Sequence, residues 1–211
     1  MRRRRQCEKG YTLVEALIVV GIIGLIVAIS IPSLRRSRMR AAMLDTVRVF
    51  EQAAAVSRIS AIKRGTNVCL SILPDGSGRH QLSRFTAWFD TNGNEVQDTG
   101  EELVGSWQIR NTSEWSFQET ADGTRKMHVL NQSGGGSARG IVYQPNGMAI
   151  AAHNQAPGIG EGAFEYFIWQ GGRKWNTFRI STFGGAGTIR VQMNIPGTSD
   201  WDDNFAHWEY Y

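Results

Sequence analysis

The densest group of chemically active side chains lies between Asp90 and Glu101, in the segment DTNGNEVQDTGE. Counted from Asp90, oxygen-bearing residues stand at the first, third, fifth, ninth and twelfth positions, the spacing of a calcium-binding loop. These residues are Asp90, Asn92, Asn94, Asp98 and Glu101, and the backbone carbonyl of Val96 is available at the seventh position. Two readings stay open, a Ca²⁺ site and an Asn- and Gly-rich hairpin loop with solvated carboxylates.

The sixth position of this segment departs from the calcium-loop pattern. Such loops place Gly there to make a sharp turn, whereas this chain has Glu95. The flanking residues also read as strands, not as the two helices that flank a calcium loop in an EF-hand.

Catalytic patterns are weak throughout the sequence. The four histidines are scattered without metal-ligand spacing, and no nucleophile elbow, phosphate-binding loop or Cys-His signature is present. The two cysteines are Cys7 and Cys69, and Cys69 lies in an apolar stretch that predicts a buried structural thiol. We therefore expect a protein that is not an enzyme and has no cofactor other than the ion considered above.

A second chemical feature is a carboxylate in an apolar segment near the N-terminus. Residues 16–31 are apolar apart from two glycines and one serine, and Glu15 directly precedes them. Residues 11–34 are long enough to cross a hydrocarbon core of about 30 Å as a helix. A carboxylate at such a place needs a partner. Cleavage after Gly10 would provide one, because Tyr11 would then carry an α-amino group one helical turn from Glu15.

These residues resemble a known family. The segment KGYTLVE at residues 9–15, followed by the apolar run and Pro32, resembles the prepilin motif of type IV pilins and type II secretion pseudopilins. The family usually has Phe where this chain has Tyr11. The resemblance implies cleavage between Gly10 and Tyr11 by a prepilin peptidase, N-methylation of Tyr11, and assembly with other pilins. It also implies that Glu15 meets the N-terminus of a neighbouring subunit.

The charge distribution agrees with a discarded leader. The whole chain has a formal net charge of +4. Without residues 1–10 the basic and acidic residues number 18 each, and residues 41–211 carry 14 basic and 17 acidic residues. The basic character therefore belongs to the leader and to the arginines that follow the apolar run. Charge alone does not orient the segment, but the resemblance implies a single-pass bacterial inner-membrane protein with a periplasmic globular domain.

The pattern predicts four regions and an α+β fold. They are a leader at 1–10, a transmembrane and assembly helix at 11–34, an amphipathic continuation of this helix at 35–64, and a β-rich globular domain at 65–211. Met43, Val47, Phe50 and Ala54 form an apolar stripe that predicts packing of the helix on antiparallel sheets. Pro32 predicts a kink. Candidate strands lie at 67–73, 82–90, 103–110, 126–131, 140–144, 163–169, 177–183 and 188–193.

A weaker resemblance extends over the globular region. Segments AIKRG at 61–65, WFD at 88–90 and YQPNG at 143–147 resemble the GspH/FimT group of pseudopilins and minor pilins. This resemblance implies a minor structural subunit of a type II secretion pseudopilus or a type IV pilus. DNA uptake is the alternative, because some relatives bind DNA through a Gly-Arg-x-Arg element. The aligned residues here are Gly187 to Arg190, and the basic candidates are Arg173, Lys174, Arg179 and Arg190.

The segment 199–211 combines aromatic and acidic residues. It predicts either a final strand or cover on the sheet, or a docking segment for another pilin.

Overall fold

The computed structural model describes residues 12–74, 79–109, 115–120, 125–131, 137–153, 155–170, 173–185, 187–194 and 201–202. Gly10 and Tyr11, the predicted processing site, lie outside these residues, as do the side chains of Pro32 and Arg173. The chain divides into two units, residues 1–41 and 42–211, which we describe separately.

A single helix, α1 (Leu13–Arg64), contributes to both units. It follows Thr12, whose Oγ1 accepts a hydrogen bond from the backbone N–H of Glu15 at 3.3 Å. Thr12 therefore caps the helix N-terminus. The helix ends at Gly65, which has a φ of 66° and donates its N–H to the carbonyl of Ala61. The predicted stop after Arg64 is confirmed.

In the first unit, the described large apolar side chains of α1 are exposed. Leu13, Leu17 and Leu25 have 78%, 63% and 65% of their surface exposed. α1 continues through Pro32 as one helix, and the kink predicted there stays a prediction.

Within the residues that the structure describes, no helix is both long and apolar enough to span a membrane.

In the second unit, α1 is followed by strands that pair into two antiparallel sheets. The first sheet has the order β3-β2-β1-β6-β5, with β7 also paired to β6, and the second has the order β11-β10-β9-β8-β4. The strands are β1 (Asn67–Pro74), β2 (Arg84–Asp90), β3 (Leu103–Gln108), β4 (Trp115–Glu119), β5 (His128–Asn131), β6 (Ser137–Tyr143), β7 (Ala149–Ile150), β8 (Glu161–Gln170), β9 (Arg173–Phe183), β10 (Ile189–Asn194) and β11 (Trp201–Asp202).

The core of the second unit forms where α1 meets both sheets. The predicted stripe is buried: Met43, Val47, Phe50 and Ala54 are 2%, 8%, 0% and 4% exposed. The ring of Phe50 lies 5.6 Å from that of Phe85 in β2 and 5.2 Å from that of Phe164 in β8, edge to face in both cases. One helical side chain therefore joins the two sheets, and the predicted α+β architecture is confirmed.

We predict that Phe50→Ala lowers the free energy of unfolding by about 3–5 kcal/mol, because it removes a fully buried ring and leaves a cavity. Denaturant unfolding of the full chain in detergent, followed by tryptophan fluorescence, measures this. Gln52→Ala, an exposed change two residues away, is the control and should shift stability by no more than about 0.5 kcal/mol. Equal effects of the two changes would contradict the central place of Phe50.

Candidate functional site

The predicted ion-binding segment is the loop that joins β2 to β3. Its two ends are held together because the backbone N–H of Phe89 donates to the carbonyl of Glu102 at 3.0 Å. The end of α1 supports the same point, since Arg64 forms a 2.5 Å ion pair with Glu102 and its guanidinium lies 4.3 Å from the centre of the Phe89 ring. The loop is thus fixed to both a sheet edge and the helix end.

Asp90 organises the start of the loop. It is the last residue of β2 and only 2% exposed. Its Oδ1 accepts the N–H of Asn94 at 3.0 Å, and its Oδ2 accepts the N–H of Glu95 at 3.2 Å. Burial raises the pKa of this carboxyl, and the hydrogen bonds from Glu95, Asn94 and Gly93 oppose the rise. Asp90 therefore shapes the turn through its side chain.

Asp98 gathers the two asparagines of the loop. Its Oδ2 accepts hydrogen bonds from the side-chain amides of Asn92 at 2.8 Å and Asn94 at 2.7 Å. These two bonds lower the pKa of Asp98. Three of the predicted ligands are thus already joined to one another in the described structure.

The remaining predicted ligands close the loop. Glu101 accepts the N–H of Thr91 at 3.0 Å through Oε1 and the N–H of Asp98 at 3.2 Å through Oε2. The carbonyl of Val96 accepts the indole N–H of Trp88 at 3.2 Å. Among the described residues, no group of three or more His, Cys, Asp or Glu side chains is arranged to hold a metal ion. In this arrangement the loop oxygens mainly accept hydrogen bonds from the loop itself.

Glu95 supplies the turn that the sequence pattern assigned to glycine. Its φ is 60°, and among the described residues no other residue apart from glycine has a positive φ. L-residues disfavour this left-handed conformation. The Glu95 side chain contacts His128 of β5, with Oε2 and Nε2 3.0 Å apart. The sequence pattern shows that Glu95 stands where a calcium loop has Gly. It does not predict that Glu95 keeps the left-handed backbone of that sixth position, or that its side chain contacts His128.

Cys69 lies beneath this loop as a buried structural thiol, as predicted. It is 0% exposed, and its Sγ lies 4.0 Å from Oδ2 of Asp90. Burial raises its pKa, and the charges of Asp90, Glu95 and Glu101 raise it further. Such a thiol stays protonated and unreactive at neutral pH.

The residues proposed for DNA binding lie on two neighbouring strands. Arg173, Lys174 and Arg179 belong to β9, and Arg190 belongs to β10. Lys174 donates to Oε2 of Glu165 at 2.8 Å, and Arg179 is 5% exposed. An ion-paired lysine and a buried arginine contribute little to phosphate attraction. The described geometry therefore gives less support to DNA binding than the sequence did.

Glu15 has a local role that the sequence analysis did not consider. With Thr12 as the N-cap, Glu15 is the third residue of α1, and Thr-x-x-Glu is the pattern of a capping box. A carboxylate in the first turn also interacts favourably with the helix dipole. The helix start can therefore use Glu15 without any neighbouring chain.

Comparison with known proteins bears on the helical region first. Residues 5–31 match the family model described as the prokaryotic N-terminal methylation motif. Over 96 residues the chain is 32% identical to "Pilin-like protein PilA1" of Thermus thermophilus, covering 46% of this chain and 57% of that protein. Over 127 residues it is 24% identical to "Prepilin peptidase-dependent protein D" of Escherichia coli, covering 60% of this chain and 87% of that protein.

The motif match and both similarities support the expected resemblance to the type IV pilins and pseudopilins. All three agree, and this expectation is confirmed. No solved structure matches the chain. Members of this family are structural subunits, which agrees with the expectation that the pilin-like chain is not an enzyme. The chain spans little more than half of the Thermus protein, 57% of its length.

We predict that Glu95→Gly is more stable than Glu95→Ala by about 1 kcal/mol. Both changes remove the contact with His128, but only Gly relieves the left-handed backbone. Thermal unfolding of the two variants beside the unaltered protein measures the difference. If Ala proved as stable as Gly, the left-handed conformation at position 95 would be refuted.

Proposed function

We propose that this pilin-like chain is a minor subunit of the GspH/FimT type in a type II secretion pseudopilus or a type IV pilus. The observation that carries the proposal is the methylation motif at residues 5–31, which overlaps the start of α1. The described apolar side chains of the first unit are exposed, so they need burial against lipid or other subunits. The second unit has its own core and is suited to present a specific surface.

Processing and location follow from the same proposal. A prepilin peptidase cuts after Gly10, and Tyr11 becomes the N-methylated first residue. Residues 11–34 then hold the chain in the bacterial inner membrane before assembly, with the second unit in the periplasm. The other pilins of the filament are the partners of this segment. The motif match supports the cleavage and methylation steps, because it covers both sides of the predicted junction.

Glu15 has two candidate roles within this proposal. In the first, its carboxylate pairs with the α-amino group of a neighbouring subunit and sets the axial position of packed helices. In the second, it stabilises only its own helix through the capping box with Thr12. The two roles differ in what they require, since the first needs a negative charge and the second needs only a hydrogen-bond acceptor.

We predict that Glu15→Gln and Glu15→Ala both enter filaments at less than about one tenth of the normal level, because neither carries the charge that the amine requires. Immunoblotting of sheared filaments, normalised to the amount of each variant in the membrane, measures incorporation. Glu51→Gln removes a carboxylate elsewhere on α1 and serves as the control. Normal incorporation of the Gln variant with failure of the Ala variant would instead assign Glu15 to capping.

Calcium binding by the β2–β3 loop is a second proposal, independent of filament assembly. The candidate ligands are Asp90, Asn92, Asn94, Asp98 and Glu101, with the carbonyl of Val96. The left-handed backbone at Glu95 supports the proposal, because a calcium loop needs this turn at its sixth position. Binding would require the carboxylates of Asp98 and Glu101 to exchange their present hydrogen bonds for the ion.

We predict that Ca²⁺ at a hundred times its dissociation constant raises the free energy of unfolding by about 2.7 kcal/mol. Thermal unfolding of the full chain, in chelator and in a calcium series, measures this. Glu101→Gln should abolish the increase, whereas Glu102→Gln should retain it, because Glu102 pairs with Arg64 outside the ligand set. If the midpoint of thermal unfolding stayed unchanged across the calcium series, calcium binding by this loop would be refuted.

DNA binding remains the alternative from a different functional class. Arg190 is half-buried, and the ion pair of Lys174 and the burial of Arg179 weaken the group as a phosphate-binding surface. A structural subunit accounts for more of the described features.

A further inference from the structure

A cavity of about 310 Å³ lies in the second unit, between α1 and strands of both sheets. Its volume is at the lower end of the range for small-molecule sites. The helix side is a single stripe of α1, with residues spaced at i, i+3, i+4 and i+7. The sheet side is provided by the end of β6 and the start of β10. The stripe consists of Glu51, Ala54, Ala55 and Arg58, and the strands contribute Tyr143 and Ile189.

The hydroxyl of Tyr143 is the group in this cavity that indicates a ligand. Tyr143 is 1% exposed, and its hydroxyl has no hydrogen-bond partner among the described residues. Burial raises the pKa of this phenol, while the positive charge of Arg58 acts in the opposite direction. The phenol therefore stays protonated at neutral pH and can donate a hydrogen bond. Because buried polar groups are normally paired, we expect a hydrogen-bond acceptor beside it in the cavity.

The charges at the two ends of the helical stripe differ in sign. Arg58 donates its Nε to the carbonyl of Gly147 at 2.8 Å, a bond that holds the guanidinium at the cavity wall and leaves its charge unchanged. Because this charge acts on the Tyr143 hydroxyl, an anionic acceptor is favoured there over a neutral one. Glu51 is exposed and lies seven residues earlier, about 10 Å away along the helix. Its carboxylate favours a cationic group at that end.

Apolar surface separates these two ends, because Ala54 and Ala55 lie between Glu51 and Arg58 on the stripe. We propose that the cavity binds a small zwitterion, in which a short apolar chain joins a carboxylate to an ammonium group. The ligand carboxylate accepts the hydrogen bond of the Tyr143 hydroxyl, the ammonium pairs with Glu51, and the chain lies against the two alanines. This site is independent of the proposed filament function, since all of its groups belong to the second unit of one chain.

Ligand-observed NMR titrations of the full chain in detergent, with detergent alone as the blank, test this site. The probe is ε-aminocaproate, whose methylene chain joins a carboxylate to an ammonium group. We expect a Kd of about 1 mM, because a ligand of this size makes few contacts. Caproate lacks the ammonium and hexylamine lacks the carboxylate, so each should bind at least about five times more weakly. The proposal would be overturned if ε-aminocaproate did not bind beyond the blank, or if the three compounds bound equally.

Tyr143→Phe tests the hydroxyl, because it removes one oxygen and keeps the ring that packs in the core. It should weaken the binding of ε-aminocaproate by about tenfold, the effect of losing one hydrogen bond to a charged group. Tyr166→Phe is the matched control, since Tyr166 is also fully buried but is not among the residues that line the cavity. It should change the Kd by less than about twofold. Equal effects of the two changes would overturn the assignment of the Tyr143 hydroxyl to the ligand.

A steric block tests where the ligand binds. Ala55→Trp fills the cavity from the helix side and should abolish binding, whereas Val56→Trp points about 100° away around the helix and should not. Both positions are exposed, so neither change enlarges a core residue. Binding that survived Ala55→Trp would place the ligand elsewhere and overturn the proposal.

Glu51→Gln tests the ammonium end of the site. It should weaken ε-aminocaproate by at least about fivefold and should not weaken caproate, because caproate has no charge for Glu51 to pair with. Equal weakening of both compounds would overturn the pairing of the ammonium with Glu51. None of these measurements requires filaments, so a failed filament assay and a failed titration remain distinguishable.

Discussion

The packing of Phe50 against both sheets is the contact on which the second unit depends. The ring is fully buried and meets Phe85 of the first sheet and Phe164 of the second. The two aromatic residues also approach each other, with ring centres 6.3 Å apart. Because the Phe50 side chain contacts both sheets, it fixes the position of each sheet against α1.

The β2–β3 loop shows how a buried strand end can organise an exposed loop. Asp90 is the buried end of β2 and directs two backbone N–H groups toward its carboxylate. Glu95 adopts a left-handed backbone within this turn, and its contact with His128 extends the loop to β5. Oxygen atoms of Asp98 and Glu101 accept hydrogen bonds from within the loop. Calcium would therefore compete with these hydrogen bonds for the same oxygen atoms. The affinity for Ca²⁺ would then measure how closely the loop already holds these oxygens in the geometry that the ion needs.

The sequence predicted the features that depend on local pattern. The stripe from Met43 to Ala54, the helix end at Gly65, the burial of Cys69 and eight of the strands follow from periodicity, capping and turn residues. It missed β4, although Trp115 and Phe117 alternate with polar residues, because the run is only 5 residues long. It also missed β7, a 2-residue strand whose existence depends on pairing with β6. Of the segment 199–211, Trp201 and Asp202 form β11, and its other residues lie outside the described part of the chain, so its role stays a prediction.

Contacts between distant segments could not be predicted from pattern alone. Nothing near Glu95 in sequence indicates His128, and nothing near Arg58 indicates the carbonyl of Gly147, because tertiary packing brings these pairs together. The same limit explains the basic residues of β9 and β10. The sequence has four basic residues on these strands. In the folded chain Lys174 is paired with Glu165 and Arg179 is buried.

The two ends of α1 differ in where their apolar surface can be buried. In the proposed function, the N-terminal end serves assembly and the second unit presents a specific surface. In the second unit the helix buries Met43, Phe50 and Ala61 within its own chain. In the first unit the described apolar side chains, such as Leu13 and Leu25, remain exposed. In the proposed function this surface is buried against lipid or other subunits, and the free energy of that burial then favours assembly. A change there should therefore alter incorporation with little effect on the second unit, whereas a change at Phe50 should do the reverse.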